Sequence, residues 1–270
     1  MRRALAAAAV GVACALAASG FALARGSNGS EGVRATVTTQ RAEGKYRRVR
    51  LRIVREGRVA LDAFLPGLES EGMRVTRVFV RDLDWDGEPE VVLDVYTGGA
   101  HCCIEVLVYR YLPARRAYVG SMHRLGNAGY RLVDLDRDGR PELRSADDRL
   151  AYVFTAYAAS VFPVRVLRFQ RGRIVDVTRR FSHLVSQDAA RLWGAYLRLR
   201  RQRQADVRGL LAAWMAEMVL LGRDGEGWEA LESAYRSGDL GPRPDLAGWP
   251  QGRAYLRALR TFLRQAGYAR

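Results

Sequence analysis

The sequence predicts an α+β protein, with an N-terminal β half of propeller-blade-like antiparallel sheets and a C-terminal helical half. Three observations carry that expectation. Short β-rich runs broken by Gly and Asp turns fill residues 33–181. From about residue 186 the apolar residues recur at the period of a helix. An acidic stretch of loop character occurs twice within the β-rich half. The chain has 270 residues, 49% hydrophobic and 27% charged, so it can build one large core or two modest ones and is neither disordered nor collagenous. Its formal net charge is +15, but the 44 basic side chains are all Arg apart from Lys45. That compositional bias alone points to no nucleic-acid partner.

The first residues have the three parts of a secretory signal. Arg2 and Arg3 form a basic start, residues 4–18 an apolar run, and Ala22-Leu23-Ala24 a small-residue cleavage pattern. Cleavage after Ala24 is expected, with a secreted or extracytoplasmic product. The apolar run is shorter than the roughly 20 residues that span a bilayer. No later stretch is continuously apolar over that length, so no transmembrane segment is expected once the signal is removed.

Residues 25–185 are expected to form the β domain, with strands over 49–54, 75–80, 104–109 and 164–169. Val54-Arg55-Glu56-Gly57-Arg58-Val59 and Phe169-Gln170-Arg171-Gly172-Arg173-Ile174 match as hairpins, and residues 109–118 supply a third with a longer turn. Residues 186–270 predict about four helices. Val207, Leu210, Leu211, Trp214, Met215 and Met218 fall on one helical face, which reads as core packed against the β half. Arg198, Arg200, Arg201 and Arg203 read as a solvated helix face.

The repeat is the strongest signal. Asp82-Leu83-Asp84-Trp85-Asp86-Gly87-Glu88-Pro89-Glu90 returns as Asp134-Leu135-Asp136-Arg137-Asp138-Gly139-Arg140-Pro141-Glu142. Carboxylates at positions 1, 3 and 5 converge on one centre, and Gly at position 6 permits the turn. Glu88 and Arg140 at position 7 can offer carbonyls, and Glu90 and Glu142 at position 9 can close the shell. These are hard oxygen ligands at calcium spacing, so calcium is the expected ion in both loops. Position 12 is Leu93 or Ser145 where an EF-hand has Glu, so neither loop is an EF-hand.

Placed between apolar strands, the two loops resemble those of the FG-GAP/VCBS repeat families. The resemblance covers about residues 46–181 and implies propeller-type blades and calcium, but no particular activity. The segment Tyr96-Thr97-Gly98-Gly99-Ala100-His101-Cys102-Cys103 resembles uncharacterised exported actinobacterial proteins with such loops. Cys102 and Cys103 leave three readings open: a vicinal disulfide, two buried thiols, or a soft-metal site with His101. Neither GxSxG, HExxH nor a phosphate loop is present. The sequence therefore predicts an exported, calcium-binding, non-catalytic interaction or scaffold protein whose partner is an extracellular protein or cell-wall polymer. The alternative is an exported hydrolase of cell-wall polymer.

Overall fold

The computed structural model describes residues 20–25, 32–42, 46–65, 67–68, 73–99, 102–202 and 205–269. Most of the expected signal (residues 1–19), Cys14 and His101 lie outside the described residues, as do the side chains of Gly20 to Arg25 and Cys102. The β half is built from three four-stranded sheets in which every neighbouring pair is antiparallel. The first contains β1 (Gly20–Arg25), β2 (Val33–Ala42), β3 (Tyr46–Arg55) and β4 (Arg58–Phe64). The second contains β5 (Arg74–Arg81), β6 (Glu90–Gly99), β7 (Cys102–Leu112) and β8 (Ala117–Gly126). The third contains β9 (Arg131–Val133), β10 (Glu142–Ala146), β11 (Val164–Gln170) and β12 (Arg173–Asp176). None of the three closes into a barrel. The cleavage expected after Ala24 falls at the end of β1.

The two matched hairpins have the same local cause. Glu56-Gly57 and Arg171-Gly172 both adopt left-handed backbone, with φ of 50° and 77° in one turn and 49° and 84° in the other. A two-residue turn of that hand matches the twist of the strands it joins. The second sheet lies between the other two. Val91, Leu93 and Val95 of β6 pack into one core with Val37, Leu51 and Ile53. Val92 points the other way, into a core shared with Leu143, Leu167 and Phe169. A strand buried on both faces reads as an unbroken apolar run, which explains Val91-Val92-Leu93 in a chain whose outer strands alternate.

The helical half comprises α1 (Ser182–Leu199), α2 (Arg208–Leu220), α3 (Asp224–Arg236) and α4 (Gly252–Gln265). Helix α1 begins four residues before the expected boundary, directly after a 3-10 turn at Thr178–Phe181. The single stripe expected on α2 was too narrow a reading, because every residue from Arg208 to Val219 is buried. The Trp193 and Trp214 rings lie 4.5 Å apart, and the Tyr255 hydroxyl donates to the Arg208 carbonyl. Arg208 is accommodated inside by the Asp206 carboxylate at 2.9 Å.

The core of the helical half crosses the expected boundary. Leu150 and Phe154, from the segment between β10 and β11, are buried among Leu211, Tyr255 and Leu259. Polar groups fasten the same joint: Tyr268 donates to Asp147 at 2.6 Å, and Arg149 donates to the Ala266 carbonyl at 2.9 Å. Glu217 of α2 accepts from the Val164 N–H at the start of β11, at 2.7 Å.

Glu217 is fully buried, and burial first, then the neighbouring Asp188 carboxylate, push its pKa up to about 9. The folded state therefore holds a proton that the unfolded chain releases near the ordinary carboxylate pKa. The associated stability is complete below that ordinary value and is lost as pH rises towards about 9. Glu217→Gln keeps the acceptor for Val164 and needs no proton. It should gain on the order of 1–3 kcal/mol over the parent at pH 8, and little at pH 4.5. Urea unfolding at the two pH values measures this, and equal gains at both would contradict the assignment.

Candidate functional site

Each acidic loop joins the ends of two strands, β5 to β6 and β9 to β10. Four hydrogen bonds recur in both. The position-1 carboxylate accepts from the backbone N–H groups of positions 5 and 6: Asp82 from Asp86 and Gly87 at 3.3 and 2.9 Å, and Asp134 from Asp138 and Gly139 at 3.1 and 2.9 Å. The position-5 carboxylate accepts from position 7 at 2.9 Å in each loop. The position-9 Glu accepts from position 2, at 2.9 Å for Glu90 and Leu83 and 2.8 Å for Glu142 and Leu135. Position 4 takes a positive φ, 55° at Trp85 and 59° at Arg137. Much of the motif thus holds its own turn, since Asp side chains satisfy N–H groups that the bend removes from strand pairing.

The remaining carboxylate oxygens decide what the loops can bind. In the first, Asp82, Asp84 and Asp86 each present an oxygen within 4.8 Å of the others. Glu88, expected to offer its carbonyl at this centre, directs its carboxylate to Arg55 at 2.6 Å. Asp84 Oδ1 and Glu90 Oε1 are buried without a hydrogen-bond partner. Burial, then the nearby Asp86 carboxylate, raises the pKa of Asp84. Burial also drives Glu90 up to about 9, against the opposing Leu83 N–H and with help from Asp84 and Asp86. The Arg110 guanidinium of β7 approaches from one side. It bonds Asp86 at 2.6 Å but stays 3.8 Å from Asp84 and 4.0 Å from Glu90.

In the second loop, Asp134, Asp136 and Glu142 present oxygens within the same 4.8 Å. Here a guanidinium takes the central place. Arg168 of β11 stands directly across the ladder from Glu142. It is 3% exposed, donates to Glu142 at 2.7 Å, and reaches Asp138 at 3.1 Å and Asp136 at 3.0 Å. Against the effect of burial, the Arg140 N–H and the Arg168 guanidinium hold Asp138 below the usual carboxylate range. Arg140, expected as a carbonyl ligand, donates its N–H to Asp138.

The two loops meet. The Arg171 N–H, from the β11–β12 turn, donates to Asp84 of the first loop at 3.1 Å. The Trp85 ring lies over Gly139 of the second, so closely that a Cβ at 139 would fall 1.0 Å from Trp85 Cζ3. Glycine at 139 therefore serves the contact as well as the φ of 87°. Elsewhere, Cys103 is disulfide-bonded, and its N–H donates to the Thr97 hydroxyl at 3.0 Å.

Arg110 and Arg168 were absent from the sequence-based site because the motif ends at position 9, while both arginines sit one strand further on. For Arg168 that strand follows the long connection across residues 147–163. The cross-strand pairing of Glu142 with Arg168 is the signal that would have found it.

These features define an α+β protein with, among the described residues, three open sheets and four α-helices, bearing two acidic strand-loop-strand turns. Residues 185–267 match the family described as the sll0997 C-terminal domain. Over 220 residues the chain is 33% identical to a probable thylakoid lumen protein, sll0997 of Synechocystis sp., an alignment covering 76% of this chain and 64% of that protein. Over 199 residues it is 29% identical to the uncharacterized protein y4bJ of Sinorhizobium fredii, covering 72% and 31% respectively. The chain thus spans less than two thirds of the length of either relative. No solved structure matches.

The comparisons correct the expected FG-GAP/VCBS resemblance and its actinobacterial association, since the similarity is to sll0997 and lies partly in the helical half. The physical reason is in the loops: a DxDxDG turn held by its own backbone N–H groups specifies a bend between strands and not a family. Among the described residues, no helix is long and apolar enough to cross a membrane.

Proposed function

We propose that this is an extracytoplasmic, calcium-binding, non-catalytic interaction protein whose ion is held by the first acidic loop. The observation that carries the reading is the pair of buried, unpartnered oxygens, Asp84 Oδ1 and Glu90 Oε1, beside the converging carboxylates of Asp82, Asp84 and Asp86. Buried carboxylate oxygens without a donor are costly, and a hard cation satisfies several at once. Arg110 makes one hydrogen bond there and its side chain is 25% exposed, so it has solvent to swing into when an ion enters. Arg168 is bonded to three carboxylates and has no such freedom. The second loop is therefore neutralised by the protein itself.

The signal pattern at residues 2–24 and the lumenal description of the Synechocystis relative support a place outside the cytoplasm. Among the described residues, the one carboxylate outside the loops with a strongly raised pKa, Glu217, is sealed between α2 and β11, where it braces the joint rather than meeting a substrate. Calcium titration by calorimetry tests the assignment. Asp84→Asn should abolish binding and Asp136→Asn should leave it unchanged. The reverse order, or equal loss from both, would contradict it.

A further inference from the structure

We infer that the cleft between the two acidic loops binds an acidic polysaccharide. This deepens the interaction-protein reading by naming the partner's chemistry, and it does not depend on calcium. The cleft has a volume of about 890 Å³ and is bounded by Trp85, Arg110, Arg140, Gln170, Arg171 and Arg173, with Asp84 and Asp86 at its acidic side. That size suits a few sugar units.

Trp85 is 56% exposed, although its ring is fixed against Gly139. It also sits at a positive φ that a bulky residue adopts only under strain. A rigid, exposed indole offers an apolar platform to the flat face of a pyranose ring. Of the two carboxylates at this face, Asp86 is paired with Arg110 and Asp84 accepts from the Arg171 N–H. Among the described residues no ion pair within 4.0 Å holds the guanidinium groups of Arg171 and Arg173, while that of Arg140 attracts Asp138 without bonding it. Guanidinium forks around one platform are complementary to the carboxylates of an acidic sugar chain, which they can grip bidentately.

Asp86 and Gln170 add acceptors suited to sugar hydroxyls. A single aromatic gives no run of stacking faces, so a nucleic acid fits less well.

The test is binding of galacturonate oligosaccharides to the full chain, measured in EDTA and again in calcium, with a neutral glucan oligosaccharide and poly(U) as comparators. Galacturonate should bind in EDTA at least tenfold more tightly than either comparator. Arg171→Gln with Arg173→Gln, both exposed and contributing no side chain to the proposed calcium ligands, should weaken it at least tenfold while calcium binding is retained. Trp85→Phe should lower the affinity severalfold with an unchanged circular dichroism spectrum. Binding unaffected by the arginine pair, preference for poly(U), or no binding of galacturonate would each overturn the proposal. Loss of calcium binding with retained galacturonate binding would overturn the calcium reading alone.

Discussion

Replacing Phe154 by alanine should destabilise the protein by about 3–5 kcal/mol, the cost of emptying a buried aromatic site. The effect should reach the β half as well as the helices. Phe154 comes from the connection between β10 and β11, is 1% exposed, and meets the rings of Tyr255 and Phe262 at centroid distances of 5.3 and 5.7 Å. It is thus a β-half residue in the helical core. Equilibrium unfolding followed by far-ultraviolet circular dichroism and by tryptophan fluorescence should give one shifted transition. A change below about 1 kcal/mol would mean that the two halves are held together elsewhere.

Arg168→Met should have a comparable cost in EDTA, about 3–5 kcal/mol, because it leaves the fully buried Glu142 beside Asp136 and Asp138 with no cation. Methionine retains much of the apolar stem, so the loss reports charge more than volume. If the guanidinium stands where a cation would otherwise sit, millimolar calcium should restore part of the lost stability in the variant by mass action. Chemical denaturation with and without calcium measures both effects. An unchanged stability, or a loss that calcium leaves untouched, would contradict the role given to Arg168.

The sequence disclosed those parts of the fold whose causes are local. Glu56-Gly57 and Arg171-Gly172 announce hairpins because two left-handed residues in succession suit few other structures. The two acidic loops are legible for a related reason, since their Asp and Gly positions hold a bend with hydrogen bonds spanning a few residues. Helix α2 was recognised as a helix but misjudged in its surroundings. Apolar period reveals one buried face, whereas burial all round depends on what α1, α3 and the 147–163 segment bring to the other sides. The site was legible only in its acids. Its cations arrive from other strands, Arg110 across the β6–β7 pair and Arg168 across the β10–β11 pair, and their placement is a property of register that no nine-residue motif contains. Composition concealed them further, because in a chain with so many arginines no single one stands out.

The most direct test of calcium in the first loop and arginine in the second is anomalous diffraction from crystals of the full chain grown in calcium. The account predicts one anomalous peak among the Asp82, Asp84 and Asp86 carboxylates, with Arg110 withdrawn and Arg168 still bonded to Asp136, Asp138 and Glu142. A peak in the second loop with Arg168 displaced, or no peak in either loop, would contradict it.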